Sequence, residues 1–402
     1  MSASGSFKRL LAVIALALMP SCAPFIRPEA KPAPLTFVKT GAIPDLTMDL
    51  TDGPIVSALE RSIEALAAKD PAALITVGGM SVTNGDIDRS ARRLLEIIHI
   101  EKDPAKRIAI IQREFGIYRY AQEPSGVETL FTGYYLPFIR ASREKTDSYK
   151  WPIYALPEDL VTADLGLFHN ELKGRKITGR VENGKLAPYH DRQAIDLDGA
   201  LAARGLEIAW ANDPFDLFVM SVQGSGRAVF EDGSSVFLNY AGSNGRAYRS
   251  IGKTLIERGA VKKEDMSLNA IRRWTDENPE KMFELLFTNP SYVFYRAMED
   301  GPFGSTGVKL TAGRSVAVDP AYYPEHAILL VSLDLPEVKD GVVMGWKQTA
   351  RLAIAQDRGG AIKGPGRMDI YFGEGPEAGA TAGLLKQTGP AYFLILKSTT
   401  RQ

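Results

Sequence analysis

Two textures of apolar and polar positions divide this chain. Between residues 53 and 118 the apolar positions recur at helical spacing. Ile55, Val56, Leu59, Ile63 and Leu66 form one stripe, which Asp70-Pro71 ends. "DIDRSARRLLEIIHI" (86–100) and "DPAKRIAIIQREFGIY" (103–118) repeat the pattern, and in the second Asp103 stands as N-cap with Pro104 in the first turn. From Gly126 the spacing shortens. "VETLFTGYYLPFIRAS", "YKWPIYALP", "FDLFVMSVQGSGRAVFEDGSSVFLNYA", "HAILLVSLDLP" and "AYFLILKS" are aromatic and β-branched runs broken by Gly, Pro and Asp, which predict strands. "EDGS" (231–234) predicts a hairpin turn. "SIGKTLIERG" and "SLNAIRRWTDENPEKMFELLF" return to helix, with Gly259 closing the first and Pro279 splitting the second. A helical start followed by many short strands predicts an α+β chain, mainly β, with one or two small barrels.

Composition changes this picture little. Of 402 residues, 45% are hydrophobic, and 48 Lys and Arg balance 48 Asp and Glu. Zero net charge argues against a nucleic-acid partner, which needs a basic surface. The N-terminus is the exception. Lys8 and Arg9 precede an apolar run from Leu10 to Met19, too short to span a membrane but suited to an export signal. Cys22, the only cysteine, stands where a lipoprotein signal is cut, although Met19-Pro20-Ser21 departs from the Leu-Ala-Gly pattern. Residues 1–22 are therefore expected as a lipoprotein-type signal peptide, and the proline-rich segment 23–47 as a tether to the membrane.

Histidines 99, 169, 190 and 326 share no ligand spacing, so neither metal nor cofactor is expected; His99 reads as a packing or capping residue. Phosphate-loop spacings are missing from "GGAIKGPGR", and "QGSGR" (223–227) fails the nucleophile-elbow pattern. Carboxylates remain. Asp319 precedes Pro320 as a turn-starter, and Asp357 can organise Gly359 and Gly360 as an Asx-turn. Asp369 differs, because Met368 and Ile370 make it part of a strand-like run where aspartate is disfavoured. Partial desolvation there raises the carboxyl pKa and keeps a proton available, which is what acid-catalysed cleavage of a glycosidic bond requires.

"DRGGAIKGPGRMDIYFGEG" (357–375) and "LTAGRSVAVDP" (310–320) resemble the two halves of the three-aspartate (3D) domain. "TGYYLP" (132–137), "VQGSGR" (222–227) and "YAGSNGRAYRSIGKTLIERG" (240–259) resemble the membrane-bound lytic murein transglycosylase A family. The resemblance implies a double-psi β-barrel with a smaller β-rich domain inserted and a substrate groove between them. It places the barrel domain at 48–137 plus 261–402, its 3D part at about 305–400, and the insert at 138–260. The implied activity is exolytic cleavage of the β-1,4 bond between N-acetylmuramic acid and N-acetylglucosamine in peptidoglycan, leaving 1,6-anhydro ends. A two-carboxylate hydrolase and a non-catalytic murein-binding lipoprotein are the alternatives.

By position, Asp369 becomes the single acid and then base, with Asp357 tuning it or bracing the glycine turn, and Asp319 in support. Thr132, Gly133, Tyr135, Gln223 and Ser225 match groove-lining positions. Lys363 and Arg367 either meet muropeptide carboxylates or are solvated loop charges. Expected partners are peptidoglycan glycan strands, the membrane through lipidated Cys22, and cell-wall synthesis or division proteins. The expected location is the periplasmic face of the outer membrane.

Overall fold

The computed structural model describes residues 34–39, 53–121, 126–339 and 342–397. The expected signal peptide and Cys22 lie outside them, as does most of the tether. Within that tether Leu35–Phe37 is a strand paired antiparallel with Phe115–Tyr120.

The helical start forms in helices Gly53–Ala67, Asn84–Ile100 and Pro104–Glu114, but the helical reading of 103–118 runs too far: from Phe115 the chain is the strand Phe115–Tyr120. Thr83 and Asp86 cap the second reciprocally, side chain to backbone in both directions. Asp103 accepts from the N–H groups of Ala105 and Lys106 to start the third. His99 does not pack: it is exposed on the last turn, and Glu101 is the cap.

Six strands close into a barrel: Ile328–Lys339, Val342–Asp357, Ser315–Ala317, Arg367–Glu374, Glu128–Leu136 and Lys386–Leu396, the last pairing back onto the first. Two of the pairings are parallel, Ser315–Ala317 with Val342–Asp357 and Arg367–Glu374 with Glu128–Leu136. This is the closed, mainly β architecture that the sequence implied. Barrel strands alternate two apolar faces. Leu329, Val331, Ala353, Ile370 and Phe393 fill the interior, while Ile328, Leu330, Leu352, Ile354 and Leu394 lie under the N-terminal helices with Ile55, Leu59 and Leu94. Burial on both faces explains why "HAILLVSL" shows no polar alternation.

A second, six-stranded sheet runs in the order Val293–Met298, Ser235–Ser243, Gly226–Phe230, Phe138–Ser142, Glu207–Ala211, Trp151–Tyr154. Its strands are thus drawn from 138 to 298. The turn at 231–234 forms as expected, with Gly233 at φ +80 and Phe230 N–H donating to Ser234 O.

One strand expectation fails. "FDLFVMSVQ" is a helix, Pro214–Gln223, begun by Asp213 and Pro214. It is apolar on several faces because it is covered on two sides: Leu217 and Met220 pack under the sheet, while Phe215, Phe218 and Val219 meet helices Ile251–Glu257 and Pro279–Phe287. A short helix buried all round has no polar stripe to betray its period. Gly224, left-handed at φ +86, ends it and turns the chain into the strand Gly226–Phe230. That turn sets Gln223 and Arg227 where the second sheet meets the barrel.

Candidate active site

Ala317 is the pivot of the site. On one side it pairs in parallel with Asp357, on the other antiparallel with Asp369. The two carboxylates therefore occupy one row across three strands, with backbones about 10 Å apart. The next strand supplies their partners. Thr132 sits opposite Asp369, and its Oγ1 donates to Asp369 Oδ1 at 2.5 Å. Two residues on, Tyr134 OH donates to Asp357 Oδ2 at 2.8 Å. Alternate residues of a strand share a face, so "TGYY" serves both aspartates through its first and third positions.

The two acids are held differently. Asp357 ends its strand, and its Oδ1 accepts from the backbone N–H groups of Ser305 and Arg358, both at 2.9 Å. Burial pushes its carboxyl above the usual range, and these donors pull against that rise. Neither donor is Gly359 or Gly360, so the Asx-turn expected there is replaced by a bond to Arg358 N–H, at the entrance of the glycine loop. Asp369 has Thr132 as its only hydrogen-bond partner among the described residues. Burial raises its carboxyl to about 6; the Thr132 hydroxyl and the Arg367 charge lower it, and the Asp357 charge adds a smaller upward push. Desolvation rather than like-charge repulsion is thus the leading cause. Tyr134 is held well above its ordinary value by burial and by Asp357, so it stays a donor.

Asp319 is held by backbone donors at a distance from the other two carboxyls. It accepts from Ala321 N–H, and from Gly364 N–H at 2.8 Å in the loop between the other two aspartates. Tyr323 OH pins the same loop at Pro365 O. Gly364, at φ +80, makes the reversal that "GPGR" encodes.

The remaining expected site residues divide. A Cβ on Gly133 would stand 2.7 Å from Ala382 Cα and 2.8 Å from the Phe372 ring, so its bareness lets helix Gly375–Leu384 approach. The Tyr135 ring packs against Gly379 of that helix, and its N–H donates to Gln223 Oε1. Ser225 Oγ accepts from Tyr240 N–H. Lys363 is exposed. Arg367 turns inward, its Nη1 donating to Thr132 Oγ1 at 2.8 Å.

Residues that sequence reasoning did not assign also shape the site. Tyr134 is one, and the period-2 offset from Thr132 was the signal for it. Gln356 is another: fully buried beside Asp357, it donates to Ser62 Oγ and Ala58 O and accepts from Ser315 Oγ. His326 completes this polar knot against Ser62, with its pKa lowered by burial to about 4. No carboxylate is bonded to that imidazole among the described residues. No metal-binding cluster occurs among the described residues.

A family model described as the MltA specific insert domain matches residues 130–296, and a 3D domain model matches residues 314–395. Membrane-bound lytic murein transglycosylase A of Escherichia coli K12 is 38% identical over 287 residues, 70% of each chain. This chain belongs to the membrane-bound lytic murein transglycosylase A family. Among solved structures, a membrane-bound lytic murein transglycosylase from Agrobacterium tumefaciens superposes with a TM-score of 0.75 at 29% identity, covering 90% of this chain and 98% of that one. Escherichia coli MltA with bound chitohexaose gives a TM-score of 0.68 at 29% identity, over 91% and 95%. In family terms, the row Asp357–Ala317–Asp369 lies in the 3D match and Thr132 and Tyr134 in the insert match, so the site is assembled from both.

Proposed function

We propose that this chain is a peptidoglycan lytic transglycosylase in which Asp369 alone moves the proton, first as acid and then as base. The observation that carries the reading is the geometry of Asp369, a buried carboxyl raised to about 6 that takes a hydrogen bond from Thr132 on one oxygen and none on the other among the described residues. Protonated Asp369 gives its proton to the glycosidic oxygen as the bond from C1 of N-acetylmuramic acid breaks. The O6 hydroxyl of the same sugar attacks C1, and its proton passes to the Asp369 carboxylate. The acid is regenerated and no water is consumed. Because the nucleophile belongs to the substrate, proximity replaces the second carboxylate of ordinary glycosidases.

Asp357, in the same row as Asp369 on the far side of Ala317, would favour positive charge developing at C1 through its own charge. The glycan would lie along the junction of barrel and second sheet, which we take to be the inserted domain, extended from the expected 138–260 to 138–298 because strand Val293–Met298 pairs into that sheet. There the Tyr135–Gln223 and Ser225–Tyr240 bonds fix backbone groups for acetamido and hydroxyl contacts. Relatives that carry "membrane-bound" in their names support a membrane-associated enzyme acting in the periplasm. Lipidation of Cys22 and outer-membrane anchoring are the finer reading, and a Cys22→Ser chain that still fractionates with the outer membrane would contradict it.

The deciding experiment weighs the muropeptides released from purified sacculi. Anhydro ends are expected, lighter by one water than hydrolysed ones. Reducing ends throughout would make the enzyme a hydrolase, and binding without release would make it a clamp.

A further inference from the structure

Arg367 was an ambiguous loop charge in the sequence, and the fold turns it into the site. Its Nη1 donates to Thr132 Oγ1 at 2.8 Å and faces the carbonyls of Leu130 and Met368, each at 3.3 Å. Thr132 Oγ1 in turn lies 2.5 Å from Asp369 Oδ1. Donor inventory decides the direction of this chain. Guanidinium has five N–H donors and no acceptor, whereas a hydroxyl has one hydrogen to give. With Arg367 donating into the Thr132 oxygen, the Thr132 hydrogen is repelled by the guanidinium and attracted by the carboxyl. The bond that Thr132 Oγ1 donates runs to Asp369 Oδ1, the shortest contact of the set.

We propose that Arg367 is a positioning residue: through Thr132 it commits a hydroxyl hydrogen to Asp369 Oδ1, so that the transferable proton of Asp369 is carried on Oδ2. This rests on Asp369 being the acid of the reaction. The relay does two things. It keeps the proton off the oxygen that faces the neighbouring strand and leaves it on the one open to substrate. It also stabilises the carboxylate formed after proton transfer, which must then accept the O6 proton. Burial makes Asp369 a reluctant anion, and the relay, on the same face of the strand, moderates that reluctance. Other charged and titratable groups around Asp369 are Asp357 on strand Val342–Asp357, Tyr134 beside Thr132, and Lys386, exposed and opposite Thr132 in register on strand Lys386–Leu396.

The test measures kcat and KM for anhydromuropeptide release across pH in Arg367→Gln, Thr132→Val, Thr132→Ser and the Arg367→Gln/Thr132→Val double variant. Each of Arg367→Gln and Thr132→Val should lower kcat about tenfold, while KM changes by less than about twofold. Both remove an influence that holds the Asp369 pKa down, so the alkaline limb of the rate profile should move up by about half a pH unit or more. In kcat the double variant should be no worse than Thr132→Val, because Arg367 places the proton only through that hydroxyl, whereas its charge adds a further upward shift of the limb. Thr132→Ser should restore both rate and limb.

An Arg367→Gln enzyme with raised KM and an unmoved limb would instead make Arg367 a substrate ligand and overturn the relay. So would multiplicative losses in the double variant. If thermal unfolding shows that Arg367→Gln does not fold, Thr132→Val alone decides, since an unmoved limb there also overturns it. Asp369→Asn separates the two readings. Full activity in that variant removes the acid assignment itself, whereas an inactive one leaves the relay to stand or fall on the limb.

Discussion

Asp357 and Asp369 flank the same alanine, yet the chain surrounds them unequally. Asp357 is saturated, with two backbone N–H groups on one oxygen and a tyrosine hydroxyl on the other. Among the described residues Asp369 accepts on one oxygen only, from a side chain that itself accepts from a guanidinium. Burial raises both carboxyls, so proton affinity alone does not distinguish them. Free valence does. A carboxyl whose lone pairs are already committed is suited to hold a field or a turn. One with an unoccupied oxygen can give and take a proton.

The largest test of this contrast exchanges each acid for its amide. Asp369→Asn should lower anhydromuropeptide release by about 10²–10⁴-fold, the usual range for removing a general acid. Asp357→Asn keeps the shape of the nest and should cost about 10-fold, through the lost negative field. If Asp357→Asn proves the deader enzyme, the roles are reversed.

Stability should separate the same two sites with opposite signs. Asp369 titrates near 6 when folded, against about 4 in an unfolded chain. The unfolded chain therefore sheds this proton first, and the folded state loses stability as pH rises from about 4 to 6, with the full cost retained above that. Asp369→Asn should consequently stabilise the protein at pH 7.5, by about 1–3 kcal/mol, and leave it unchanged near pH 4. Asp357→Ala should do the reverse at neutral pH, because it strands the Ser305 and Arg358 N–H groups and costs about 1–3 kcal/mol. Thermal unfolding at the two pH values reads both. An Asp369→Asn variant less stable than the parent at pH 7.5 would mean that its carboxylate is well solvated when folded.

Much of this was legible in the chain, for identifiable reasons. Helix starts were written in capping chemistry at Asp103-Pro104, and the strand aspartate was conspicuous because Met368 and Ile370 flank it. What escaped was long-range. The Thr83–Asp86 cap was local and went unread, but nothing local shows that Gln356 will bury its amide against Ser62, 294 residues away. The segment 214–223 misled because burial on two sides erases periodicity. Tyr135 was favoured over Tyr134 by position in a motif, although the pleat puts Tyr134 with Thr132. Arg367 could not be assigned from sequence at all, because its direction depends on a strand 235 residues upstream.

The smallest predicted effect concerns how the strand bearing Asp369 meets the second sheet. Arg227, in "QGSGR", reaches Glu374 at 3.1 Å, five residues beyond Asp369 on the same barrel strand, while its guanidinium covers the rings of Phe237 and Phe138. Both partners are about one-third exposed. Such a pair is worth about 0–1 kcal/mol, and the stacking adds a comparable amount. Arg227→Ala should therefore lower the melting temperature by only a few degrees. Its effect should fall on KM, raised by about two- to fivefold with kcat little changed, because the pair joins the two surfaces between which the glycan would lie while touching neither acid. The ionic part should fade in about 1 M salt, where the Debye length shrinks to about 3 Å, and Arg227→Lys should keep much of it. A fall in kcat with KM unchanged would show instead that Glu374 helps set the Asp369 strand, and would tie the two acids more closely to the second sheet than their hydrogen bonds indicate.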